Sequence, residues 1–131
     1  DCSLILTLLE NGYLPIISPV AANSAGEALN LNGDIAAGAL AGAIGADEVL
    51  FITDVAGIYR SWPDKDSLIH EISVAELKSI SESFADGMAP KVKAVISALS
   101  SGAEKARVID GTDVGSLNEG LNGKGGTVIL A

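Results

Sequence analysis

The apolar positions along the chain fall into short runs that alternate between helical and strand-like patterns. Ile35 to Ile44 is half Ala and too long for an ordinary strand, so it predicts a buried helix, whereas Val49 to Thr53 predicts a buried strand. Ser73 and Glu76 have the spacing of a capping box and predict a helix start. The other predicted elements are, in chain order, a helix end at 3–10, strands at 14–20 and 29–31, a short strand at 68–72, a helix from about residue 90, a strand at 105–109, a helix at 114–121 and a strand at 127–130.

The order of these elements predicts an α/β fold, a three-layer sandwich in which a mainly parallel sheet is flanked by helices. The strands at 14–20 and 29–31 are expected to form a hairpin. The strand at 29–31, the Ala-rich helix and the strand at 49–53 are expected to form a βαβ unit, and therefore a parallel strand pair. At 131 residues, the chain is expected to be a single domain, residues 1–131.

Composition narrows the classes of function. The net charge is −9 and no basic tract occurs, which argues against a nucleic acid or an anionic membrane as partner. Cys2 and His70 are single residues of their kinds, so neither a disulfide framework nor a Cys/His metal cluster is expected. The longest apolar run is too short to span a bilayer, and the first residues do not resemble a signal peptide. A cytoplasmic setting is the simplest expectation.

Three polar side chains mark the start of the Ala-rich helix. Asn30, Asn32 and Asp34 alternate along the chain, so in an extended segment they point to one face. Asp34 stands where strand gives way to helix, a junction at which exposed N–H groups and the helix dipole favour anions. The alternative is that Asn32 or Asp34 only caps the helix.

Lys91 is the second candidate for a residue with a chemical role. It lies in the first turn of its helix and borders an apolar stripe formed by Met88, Val92, Val95, Ile96 and Leu99, while Lys93 points further toward water. The alternative is a lysine that only extends its side chain to solvent along the apolar surface. Together with Asp34, Lys91 suggests a site that handles phosphate, because phosphoryl transfer needs positive charge and N–H donors more than a base.

The segment Thr53 to Tyr59 follows the end of a predicted buried strand, where ligands bind in open α/β sheets. Gly57 and Gly87 would let the backbone approach a nucleotide closely. No G-x-x-x-x-G-K-[ST] sequence is present, so a P-loop is excluded.

Three motifs in this order, Asn30 to Ala41, Thr53 to Tyr59 and Asp86 to Val92, resemble those of the amino acid kinase superfamily. Within it, the Asn-x-Asn-x-Asp run is most similar to the acetylglutamate kinases of arginine biosynthesis. The resemblance covers nearly the whole chain but only the C-terminal, nucleotide-binding half of the family's protein. Relatives that act on carbamate, uridylate, glutamate or aspartate share the Thr-Asp-x-x-Gly element and the lysine-bearing helix.

The resemblance implies ATP as phosphoryl donor, N-acetylglutamate as acceptor, and Mg²⁺ held by the nucleotide phosphates rather than by a dedicated protein metal site. It implies catalytic roles for Asp34 and Lys91, and contacts of Asn30 and Asn32 with the substrate. The ATP-binding residues that it implies are Thr53, Asp54, Val55, Gly57, Tyr59, Gly87, Met88 and Lys91. For a full-length enzyme it implies a homo-oligomer.

The chain departs from the family pattern in two ways. Gly33 replaces a usual Ala, and the family's N-terminal half, with its phosphate loop and substrate-binding Arg, has no counterpart here. We therefore expect a kinase lobe that folds but does not turn over alone. The alternatives are a free-standing, non-catalytic ATP-binding or regulatory module, or the lobe of a kinase for another small acceptor. Lys124 lies where family members bind arginine, so we expect insensitivity to arginine.

Overall fold

A computed structural model describes residues 1–84 and 87–131. The helices and strands are, in chain order, α1 (Ser3–Glu10), β1 (Val20–Ala22), β2 (Ala28–Asn30), α2 (Gly33–Ile44), β3 (Glu48–Thr53), β4 (Glu71–Ser73), α3 (Val74–Ile80), α4 (Ala89–Ser100), β5 (Lys105–Asp110), α5 (Val114–Leu121) and β6 (Thr127–Leu130). Short 3₁₀ turns occupy Lys65–Ser67 and Ser81–Ser83. The motif Asp86 to Val92 lies partly outside the described residues, since Asp86 is not among them.

The helices begin and end at residues whose side chains or backbone suit those positions. Asn32 accepts a hydrogen bond from Ile35 N at 3.1 Å, and Ser73 accepts one from Glu76 N at 3.2 Å. Gly45 ends α2 in the left-handed region, with φ of 65°. These caps confirm the predicted ends of α2 and the predicted start of α3, because they satisfy N–H and C=O groups that have no partner within the helix.

The main sheet has four strands in the order β3-β5-β6-β4. β3 pairs with β5 and β4 pairs with β6 in parallel, while β5 and β6 are antiparallel. One face packs against α2 and α4, and α5 lies against β5 on the other face, where Ile109 meets the backbone of Gly120. The predicted α/β fold with a mainly parallel, helix-flanked sheet is confirmed.

The core lies between the sheet and the pair α2 and α4. Its largest residues are fully or almost fully buried apolar side chains from both layers. They include Phe51, Ile58, Ile69, Ile72, Leu77, Val92, Val95, Leu99, Val108 and Ile129. The predicted stripe on α4 is confirmed for Val92, Val95 and Leu99, which are buried, and Met88 and Ile96 pack at its edge.

The strand predicted at 14–20 is wrong except for its last residue. Leu14 is 85% exposed and Ile16 is 94% exposed, and strand structure begins only at Val20. Pro15 and Pro19 cannot donate to a strand ladder, and most of the segment is exposed. The predicted hairpin does form, but between β1 and β2.

The predicted βαβ unit around α2 is also wrong. β2 pairs only with β1, in a separate two-stranded sheet, so it is not the parallel neighbour of β3. That neighbour is β5, which the chain reaches through α3 and α4. The strand predicted at 68–72 is shifted, because Leu68 makes only an antiparallel bridge to Tyr59 and β4 begins at Glu71. Order along the chain therefore predicted the layers correctly but the strand partners incorrectly.

Candidate active site

Close packing of α2 and α4 places the two predicted catalytic side chains together. Asp34, Gly38 and Gly42 are spaced four apart and so share one face of α2. A Cβ atom at Gly38 would lie 2.9 Å from the carbonyl oxygen of Ala94, and one at Gly42 would lie 2.4 Å from Cβ of Ser101. The two glycines let the helix backbones approach, and Asp34 continues their row to the first turn of α2.

At that end of the helix pair, Lys91 Nζ donates a hydrogen bond to Asp34 Oδ2 at 2.8 Å. The Lys91 side chain is 14% exposed and that of Asp34 is 32% exposed. Lys91 therefore does not simply extend into solvent, and Asp34 is not the cap of α2. The two residues are 57 positions apart in the sequence.

The electrostatics of this pair favour an anion. Asp34 and Lys91 each occupy the first turn of their helix, and contacts from Gly38 to Ala94 and from Gly42 to Ser101 show that the helices run in the same direction. Two helix N-termini, each with partial positive charge, therefore meet at the pair. A lysine in a first turn is unfavourable for its own helix, and the ion pair with Asp34 offsets that cost.

Asn32 and Asn30 are placed differently from Asp34. The side chain of Asn32 is engaged as the cap of α2, as the capping alternative predicted. Asn30 ends β2 opposite Val20 and is exposed. Of the three residues, Asp34 is the one that hydrogen-bonds to Lys91.

A cavity of about 570 Å³ opens at the carboxyl end of β3. Six of the predicted ATP-binding residues line it: Thr53, Asp54, Val55, Tyr59, Gly87 and Met88. Gly87 and Met88 directly precede α4, so the cavity borders the helix end that carries Lys91. Of the predicted set, Gly57 and Lys91 itself are not in the lining.

Gly57 has a structural environment that explains why it is glycine. A Cβ atom there would lie 2.4 Å from Thr127 Oγ1 and 3.0 Å from Thr127 N. The buried Thr127 hydroxyl accepts from Ile58 N at 2.8 Å and donates to the carbonyl oxygen of Ile69 at 2.5 Å. Gly57 thus lets the segment from Thr53 to Tyr59, which lines the cavity, pack against β6. The shape of the cavity depends on this packing.

Sequence reasoning missed several residues of the cavity. The structure adds Arg60, Ser61, Trp62, Ser83 and Phe84 to its lining. Trp62 is not among the predicted site residues, and the one signal for it in the sequence is a large aromatic residue close behind Tyr59. The Trp62 ring meets the Tyr59 ring nearly edge-on, with centroids 5.2 Å apart and planes at 67°.

Two further properties concern metals and membranes. Within residues 1–84 and 87–131, no group of three or more His, Cys, Asp or Glu residues is arranged to hold a metal ion. None of the helices in these two ranges is long and apolar enough to cross a membrane.

Comparison with known proteins decides the family. A profile described as the amino acid kinase family matches residues 1–110. The chain belongs to the amino acid kinase family. It is 42% identical over 111 residues to the acetylglutamate kinase of Corynebacterium glutamicum, covering 85% of this chain and 38% of that protein. With the acetylglutamate kinase of Bifidobacterium longum it shares 42% identity over 134 aligned positions, covering 99% of this chain and 44% of that protein. The chain thus spans about two-fifths of the length of these curated relatives.

Solved structures of similar proteins have the same fold. N-acetylglutamate synthase from Neisseria gonorrhoeae, complexed with coenzyme A and L-arginine, superposes with a TM-score of 0.88 at 26% identity, over 99% of this chain and 30% of the synthase. Giardia carbamate kinase superposes with a TM-score of 0.77 at 25% identity, over 98% of this chain and 46% of the kinase. The resemblance to the amino acid kinases is confirmed, and the fold is shared by proteins with different reactions.

Proposed function

We propose that this chain is the ATP-binding lobe of an acetylglutamate kinase, which transfers a phosphoryl group from ATP to the side-chain carboxylate of N-acetyl-L-glutamate. The observation that carries the proposal is the Asp34–Lys91 pair, held at 2.8 Å where two helix N-termini meet beside a cavity. Two curated acetylglutamate kinases at 42% identity support the acceptor.

The cavity is suited to the nucleotide that donates the phosphoryl group. A volume of about 570 Å³ falls within the range of small-molecule sites, and its lining combines apolar Val55 and Met88 with polar Thr53 and Asp54. A nucleotide held there would direct its phosphates toward the start of α4, where Lys91 lies. Mg²⁺ would enter with the nucleotide and neutralise phosphate charge.

Lys91 and Asp34 have different roles in this proposal. The acceptor carboxylate is already an anionic nucleophile, so no base is needed to remove a proton. Lys91 stabilises the charge that develops on the transferring phosphoryl group, and Asp34 holds the ammonium group in position through its hydrogen bond. Because Asn32 caps α2, Asn30 is the residue that we assign to the acetylated substrate.

A different class of function is a non-catalytic ATP-binding or regulatory module. The structural similarity to a synthase supports keeping this second candidate, because it shows that the fold is not restricted to kinases. The two candidates differ in one property: a kinase lobe completes an active enzyme when it is joined to an N-terminal half, and a regulatory module does not.

The deciding experiment replaces the matching segment of the Corynebacterium glutamicum acetylglutamate kinase with this chain and measures ADP release with Mg·ATP and N-acetylglutamate. We expect turnover by the hybrid protein and none by the isolated chain, because positioning the acceptor against ATP can contribute about 7–11 kcal/mol to lowering the barrier. A folded hybrid that binds ATP but has no turnover would favour the regulatory module.

A further inference from the structure

The loop that follows Tyr59 supplies the cavity with an aromatic wall. Trp62 is 57% exposed although it lines the cavity, whereas Tyr59 beside it is only 9% exposed. The edge contact between the two rings, with planes at 67°, orients the indole and leaves more than half of the Trp62 surface exposed. A large exposed aromatic ring, held in place by a buried one at the mouth of a cavity, has the geometry of a stacking platform.

Polar residues also line the cavity, and two of them, Arg60 and Ser61, directly precede Trp62. Thr53 ends β3 and Asp54 follows it, and Gly87 and Met88 lead into the helix end that carries Lys91. Arg60, which precedes the platform, has its guanidinium 2.8 Å from Glu76 Oε1. The cavity thus has an aromatic ring at Trp62 and borders the N-terminus of α4, where the helix dipole favours phosphate.

We propose that the indole ring of Trp62 stacks on the base of the bound nucleotide, so that the cavity prefers purine nucleotides. The inference rests on the proposed ATP-binding function and extends it to the residue that selects the base. Stacking strength grows with the area of the π-system, so a purine gains more from the platform than a pyrimidine. An inorganic phosphate chain, which lacks a base, gains nothing from it.

The chain contains a single tryptophan, so its intrinsic fluorescence reports on Trp62 alone. We expect Mg·ATP to quench this fluorescence saturably, Mg·CTP to do so only at several-fold higher concentration, and magnesium tripolyphosphate to leave it unchanged. Calorimetry on the same samples measures binding independently of Trp62.

The matched variants are Trp62→Ala and Trp62→Phe. Trp62→Ala should weaken ATP binding about tenfold while leaving tripolyphosphate binding within twofold, and Trp62→Phe should keep most of the ATP affinity. Equal weakening for ATP and tripolyphosphate would overturn the proposal, because it would indicate a purely structural role. ATP binding in calorimetry without a fluorescence response would overturn the stacking role and leave the ATP lobe intact. Absence of ATP binding altogether would overturn both.

Discussion

Two regions of the chain have similar apolar content but opposite environments. From Gly33 onward, apolar runs form the core around the main sheet, with Phe51 and Leu77 at most 2% exposed. In residues 1–32, the apolar side chains of α1 and the segment after it are largely in solvent, including Leu4 and Leu14. An apolar run predicts burial only if the fold supplies a surface for it, and within the described residues only the second region has one.

The largest effects of substitutions on the free energy of unfolding should follow this division between the two regions. Leu77→Ala should lower the free energy of unfolding by about 2–5 kcal/mol, because it removes a fully buried side chain and leaves a cavity. Ile16→Ala should change it by less than about 0.5 kcal/mol, since Ile16 is exposed. Urea unfolding of the two variants checks this, and equal losses of stability would contradict the contrast between the regions.

A second contrast lies within α2. Gly42→Ala should cost about 1–3 kcal/mol, because the new methyl group would collide with the backbone and Cβ of Ser101 and push α2 away from α4. Gly33→Ala is the matched control, since a Cβ there meets nothing within 4 Å. The control should be neutral or stabilising by about 0.5 kcal/mol.

Thermal unfolding of the two glycine variants measures the difference, and NMR of the Lys91 ammonium group shows whether its contact with Asp34 is lost in Gly42→Ala. A Gly42→Ala protein with unchanged stability and an unchanged Lys91 signal would contradict the role assigned to this helix contact.

The smallest effect concerns the start of α5. Hydrogen bonds from the backbone and side chain of Ser116 lower the pKa of Asp113 below its ordinary value of 3.8. The pKa of Asp113 is therefore lower in the folded state than in the unfolded state. The stability that the ionised carboxylate contributes is complete above the unfolded-state pKa and is lost as pH falls through the folded-state pKa. Asp113→Asn keeps a cap but does not titrate, so the stability difference between the two proteins should be constant above about pH 5 and shrink at lower pH. Urea unfolding across this pH range tests it, and a difference that grows on acidification would be contrary to the assignment.

Local signals in the sequence were sufficient for most of the elements but not for their pairing. The cap at Asn32, the glycine stop at Gly45 and the stripe on α4 are encoded within a few residues, and the structure confirms them. Pairing of β3 with β5 depends on packing between segments more than 50 residues apart. Hydrophobic periodicity is a local signal and carries no information about such distant partners. The same limit explains why β2 was assigned to the wrong sheet.

The candidate site shows the same division. Asp34 and Lys91 could be proposed from helix positions and from the family resemblance, yet their contact depends on Gly38 and Gly42, whose effect appears only once α2 and α4 are packed. Arg107 was not singled out at all. It is buried in β5, where it donates to Glu48 at 2.9 Å and to the carbonyl oxygen of Gly125 at 2.8 Å. A buried arginine is visible as such only when its partners are known.

The central claim is that Lys91 acts in phosphoryl transfer, and the turnover of lysine variants in the Corynebacterium hybrid tests it most directly. Lys93 is the matched control, because it lies on the same turn of α4 but is exposed. We expect Lys91→Ala to lower kcat by about 10²-fold or more with the fold retained, and Lys93→Ala to leave kcat within about twofold. Equal kcat values for the two folded variants would contradict the account.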